Sequence, residues 1–174
     1  AAGDLDGDYF RTIAANLSPT KVVSLAGHLT TVEKNGSLVV TIKAQALYSV
    51  DRKTPVGGMI SPKPATVQKD GSAVFDFGNL VVDGCADALI CGTEIDAQNV
   101  VVTAPPGSYC GKPTFICGTI TGKVTKPIAD DLGSPNPSTW TMQTWDGHTT
   151  PSKVVTDCAM DVADPPPTTC QGCP

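Results

Sequence analysis

Residues 38–50 read LVVTIKAQALYSV, and the fold follows from how these thirteen residues alternate. Leu38, Val40, Ile42, Ala44, Ala46, Tyr48 and Val50 share one parity, and Val39, Thr41, Lys43, Gln45, Leu47 and Ser49 share the other. A period of two held this long predicts a long β-strand with one buried face, because successive strand side chains point to opposite sides. The preceding segment, KVVSLAGHLTTVE, joins it through KNGS, and Asn35-Gly36 is a dipeptide that tight hairpin turns favour. These two segments are therefore expected to pair antiparallel.

Further along, DRKTPVGGMISPKP breaks regular structure with Pro55, Gly57, Gly58, Pro62 and Pro64. After it, ATVQ, the turn KDGS and AVFDFGNLVVDG read as a second hairpin. EIDAQNVVVTA, TFICGTITGKV, STWTMQTW and PSKVVTDCAMDV are further strand candidates, set apart by APPGS, KPIADDLGSPNPS and WDGHTT. About eight short strands predict an all-β fold, an antiparallel two-sheet sandwich or jelly roll with extended N- and C-terminal segments. YFRTIAANL fits a helical stripe and an extended segment equally well, so residues 1–17 form an arm or a first strand. Residues 18–163 make the sandwich domain, and the Pro/Cys-rich residues 164–174 make a polyproline-like tail.

Composition agrees with this reading. The 174 residues include twenty-one Thr, eighteen Val, 17 Gly and 15 Pro, a mixture of strand formers and breakers. Fifteen Asp stand against two Glu, which disfavours helices, since Asp competes with the backbone for hydrogen bonds. The net charge of -5 and the scattered 12 Lys and Arg offer nothing to neutralise a phosphate backbone, which argues against nucleic acid as a partner. No apolar run reaches the length of a transmembrane helix. Ala1-Ala2-Gly3 would suit the small-residue side of a signal-peptide cleavage site, and seven cysteines favour an oxidising, extracellular or cell-surface location, the periplasm included.

All seven cysteines are candidates for disulfides. Cys85 with Cys91 and Cys110 with Cys117 would close small rings, and cross-pairing between these two pairs is the alternative. Cys158 with Cys170 or Cys173 would tie down the tail and leave one tail cysteine free to cap or to bridge to another chain. Cys170-Gln171-Gly172-Cys173 has redox-active spacing but no helix after it to lower a thiol pKa.

Asp4, Asp6 and Asp8 stand at alternate positions, as in the start of a calcium loop, but Tyr9 and Ala15 occupy positions where an EF-hand needs Gly and Glu. Calcium is the one candidate ion; no small-molecule cofactor is expected. Asp83, Asp87, Glu94 and Asp96 form a second acidic group. No nucleophile motif is present, His28 lacks an evident partner, His148 after Asp146-Gly147 suits a surface turn better than a triad, and Asp76 with Asp96 would serve a glycosidase only if held at catalytic separation. Trp140 and Trp145 should face opposite sides of one strand. Asn35-Gly36-Ser37 fits a surface glycosylation acceptor.

The chain is therefore expected to be a structural subunit and not an enzyme, assembling with copies of itself into a filament, pilus-like fibre or surface layer. Leu5, Tyr9, Phe10, Ile13 and Leu17 would anchor an N-terminal strand in a neighbour's sheet, helped by disulfides. The alternatives are a secreted β-sandwich module that binds carbohydrate, calcium or a protein, and a hydrolase whose acids converge only in three dimensions.

Overall fold

A computed structural model describes residues 1–174. Its strands are β1 (Gly7–Ala14), β2 (Val23–Lys34), β3 (Ser37–Leu47), β4 (Pro55–Ile60), β5 (Ala65–Thr66), β6 (Ala73–Val82), β7 (Ile95–Ala104), β8 (Phe115–Lys126), β9 (Asp130–Asp131) and β10 (Ser138–Thr144). The long strand read from residues 38–50 is β3, which pairs antiparallel with β2 across Asn35 and Gly36, both at positive φ as the turn requires.

The pairing runs through one antiparallel sheet in the order β4-β3-β2-β1-β10-β8-β7-β6, with β5 on β3 and β9 on β8. This sheet curls until β4 and β5 come against β6, where the Lys63 amide donates to the Asp76 carbonyl at 3.0 Å. The result is a nearly closed barrel in place of the two separate sheets expected from the sequence. Bulges supply the bend: the β6–β7 register shifts around Gly78, and the β7–β8 register shifts between Gln98 and Val101. At the second shift Gly122 approaches so closely that a Cβ there would lie 2.9 Å from the Gln98 carbonyl oxygen. The expected ATVQ hairpin is also corrected, since β5 pairs with Val39 and Val40 of β3 while β6 pairs with β7.

The segment that was ambiguous in sequence is β1, bonded on one edge to β2 and on the other to β10. It is no arm. Tyr9, Arg11 and Ile13 face the barrel interior, while Phe10, Thr12 and Ala14 face outward under the C-terminal segment. That cover is made by Val154, Val155 and Ala163: Phe10 and Ala14 pack on it, and the Thr12 hydroxyl donates to the Val155 carbonyl at 2.8 Å. PSKVVTDCAMDV is therefore a strap with a single bridge, Val155 to Val162, and not a ladder strand.

Three disulfides fasten the strap and tail. Cys117–Cys158 ties the strap to β8, and Cys85–Cys173 with Cys91–Cys170 pin the chain end to the loop between β6 and β7. The expected local rings do not form, because the fold brings the tail beside residues 83–94. The unpaired sulfur is the exposed Cys110, and both tail cysteines are bonded.

Candidate functional site

The barrel interior is layered along β1. At one end the Tyr9 hydroxyl donates to the Leu5 carbonyl at 2.9 Å. One strand repeat further, about 6.7 Å along the chain, Arg11 enters the core with only 5% of its surface exposed. Its guanidinium carbon lies 5.5 Å from the Trp140 ring centre and 5.9 Å from that of Phe77. Gly27 on β2 leaves the space, since a Cβ there would stand 2.8 Å from Arg11 Cδ. Trp140 is fixed in turn by its indole N–H, which donates to the Thr103 carbonyl at 3.1 Å across Gly118.

The Arg11 guanidinium thus meets ring faces in place of an anion. Burial lowers its pKa, opposed by Tyr109, yet a guanidinium starts so far above neutrality that it stays charged at pH 7. Cation–π contacts return about 0.5–2 kcal/mol each, whereas removing an ion from water costs several kcal/mol. The ring contacts use the faces, so the in-plane N–H donors are left for other partners. A small cavity of about 30 Å³ lies beside Arg11. The buried Tyr109 hydroxyl likewise has no hydrogen-bond partner, and burial raises its pKa, so it remains a donor.

Above Arg11 the interior opens as an apolar cavity of about 120 Å³ at the barrel end. Ile13, Leu80, Val82, Val100 and Ile120 line both this cavity and the one beside Arg11, so a single layer of aliphatic side chains separates them. The rim is polar only at Ser18, Lys21, Asp87 and Asp130. Asp87 is 3% exposed, and burial raises its pKa even though it accepts from the Leu89 and Ile90 amides at 2.9 Å each. Asp130 has a raised pKa from burial and from Asp131, and its Oδ2 is buried without a partner. The Asp87 loop is the one held by the two tail disulfides, which makes the tail a brace for this mouth.

The residues singled out from sequence fall elsewhere. Asp4 pairs with the terminal amine at 2.9 Å and Lys112 at 3.2 Å, Asp6 accepts from the Thr31 amide and hydroxyl at 2.7 Å, and Asp8 meets His28 at 2.8 Å. These carboxylates turn to separate partners, and no three His, Cys, Asp or Glu side chains converge as a metal set. Glu94 and Asp96 do come together, which raises the Glu94 pKa, with Asp83 adding to it. Asp76 stands opposite Val101 on β7, five residues from Asp96, hence about 17 Å along the strand and outside either glycosidase spacing. His148 lies in an exposed turn 3.5 Å from Asp146. Trp140 lies inside the barrel and Trp145 packs on Phe10 outside it. Of the expected assembly anchors, Leu5, Tyr9 and Phe10 are buried, Ile13 is half-buried and only Leu17 is exposed, at the cavity rim.

Comparison with family models, curated proteins and solved structures finds no match for this chain.

Proposed function

We propose that the protein is a secreted binding module whose barrel end holds a small, largely apolar ligand. The observation that supports this is the cavity above Ile13, Val100 and Ile120, enclosed by aliphatic side chains with a few polar groups at its rim. Its volume of about 120 Å³ suits a body near benzene in size, since apolar cavities of roughly 150 Å³ accept benzene. The three disulfides fit an oxidising environment, and we place the chain outside the cell. The lining is mostly aliphatic, which favours a reading of binding over catalysis. Calorimetric titration with 1-hexanol, beside an Ala97→Phe variant that fills the cavity, tests it. Saturable binding that the variant loses supports the reading, and absence of saturable binding to the native chain overturns it.

A second reading, assembly of copies of the chain, keeps one supporting observation, the exposed Cys110 thiol. Joining two chains at this sulfur needs no rearrangement, whereas exchange of β1 would break ladders on both of its edges. A dimer on a non-reducing gel that Cys110→Ser abolishes favours this reading. A monomer after prolonged air oxidation counts against it.

A further inference from the structure

Arg11 is a cation in the barrel interior with only 5% of its surface exposed and no anion beside it. Its neighbours at the ring faces are Trp140 and Phe77, and every wall of the adjoining 30 Å³ cavity other than Arg11 itself is apolar. Its in-plane donors face no acceptor of the protein. A planar fork of N–H groups is matched best by a planar anion that accepts two parallel hydrogen bonds, which is the geometry of a carboxylate. The Tyr109 hydroxyl, buried and unpartnered, is a further donor in the barrel interior.

We propose that Arg11 anchors the anionic head of this barrel's ligand, making that ligand an amphipathic monocarboxylate with a short apolar chain lodged in the mouth cavity. The inference deepens the binding reading and rests on it. The chain length follows from the volume: a cavity of about 120 Å³ takes a body of about six carbons. The head reaches the guanidinium through the layer of Ile13, Leu80, Val82, Val100 and Ile120, which both cavities share. Leu80 is only half-buried and borders the groove between β4 and β6, so it has room to turn aside. The carboxylate then meets the Arg11 fork while the chain points back toward the rim, and the unpartnered Tyr109 hydroxyl is assigned as its second donor.

Calorimetry at pH 7 with hexanoate, 1-hexanol and acetate, on the native chain and on Arg11→Met and Tyr109→Phe, tests the assignment. Hexanoate should bind about tenfold or more tightly than 1-hexanol, the size of one charge-assisted contact. Arg11→Met should reverse that order, and Tyr109→Phe should weaken hexanoate a few-fold while sparing 1-hexanol. Equal binding of hexanoate and 1-hexanol by the native chain overturns the anchor and leaves the cavity reading standing. If neither binds, both readings fall. Acetate binding as tightly as hexanoate would mean an anion site independent of the cavity and also overturns the proposal. Should Arg11→Met fail to fold, the native comparison and Tyr109→Phe still decide it.

Discussion

Replacing Arg11 by Met should make the protein more stable. The substitution removes a buried cation that lacks an acceptor, and an unbranched thioether of similar reach fills the space between Trp140, Phe77 and Gly27. Removing buried ionic groups in favour of apolar ones typically gains about 1–4 kcal/mol. Against this stand the two ring contacts, at about 0.5–2 kcal/mol each. Sulfur against the same rings recovers part of that, and the balance is a gain of about 1 kcal/mol. For a chain of this length each kcal/mol moves Tm by about 2–4 °C, so a rise of about 2–4 °C is expected. Urea unfolding followed by tryptophan fluorescence should give a higher midpoint with an unchanged m-value. A loss of 1 kcal/mol or more would mean that the guanidinium makes interactions within the protein that stabilise it, and the reasoning that reserves it for a ligand would be refuted.

Serine at both Cys117 and Cys158 should cost about 4 kcal/mol, the loop-closure value for a separation of 41 residues, read as a lower urea midpoint. Gly118→Ala should destabilise by about 3 kcal/mol, since its Cβ would lie 1.9 Å from the Thr103 carbonyl oxygen; a change under 0.5 kcal/mol in the same unfolding assay would contradict that contact. Asp87 has a raised pKa, so the folded state holds its proton more tightly and stability falls as pH rises from the unfolded carboxylate value through the folded one. Asp87→Asn keeps an oxygen for the Leu89 and Ile90 amides and should match the native chain at pH 3 but exceed it by pH 7; a constant or reversed gap would contradict the assignment.

The β2–β3 hairpin was legible because its signals are local: strict alternation over β3 and an Asn-Gly turn that needs positive φ. β1 was not, and the reason is burial on both faces. When Phe10, Thr12 and Ala14 lie under the strap and Tyr9, Arg11 and Ile13 lie in the barrel, the apolar pattern loses its period of two. Closure into a barrel was equally hidden, because it arises from bulges near Gly78 and Asn99 whose bending adds up only across three paired strands. The disulfides misled for a similar reason. Nearness in sequence favoured rings within each cysteine pair, but Cys85 and Cys91 flank a loop that the returning tail crosses, with Cys170 and Cys173 at matching positions. The cavity itself could not be read, as its walls come from six strands and four loops. Arg11 did leave a signal: a cation at the middle of the inward set Tyr9, Arg11 and Ile13, conspicuous only once β1 is known to be a strand.

The central claim is that the end of the barrel carries an apolar cavity large enough for a ligand. Crystals of the protein pressurised with xenon test it most directly, because the gas enters dry apolar cavities without needing a polar contact. Xenon density bounded by Ile13, Val100 and Ile120 is the predicted result. Those three side chains in mutual contact, with xenon only at other sites or nowhere, would contradict the account.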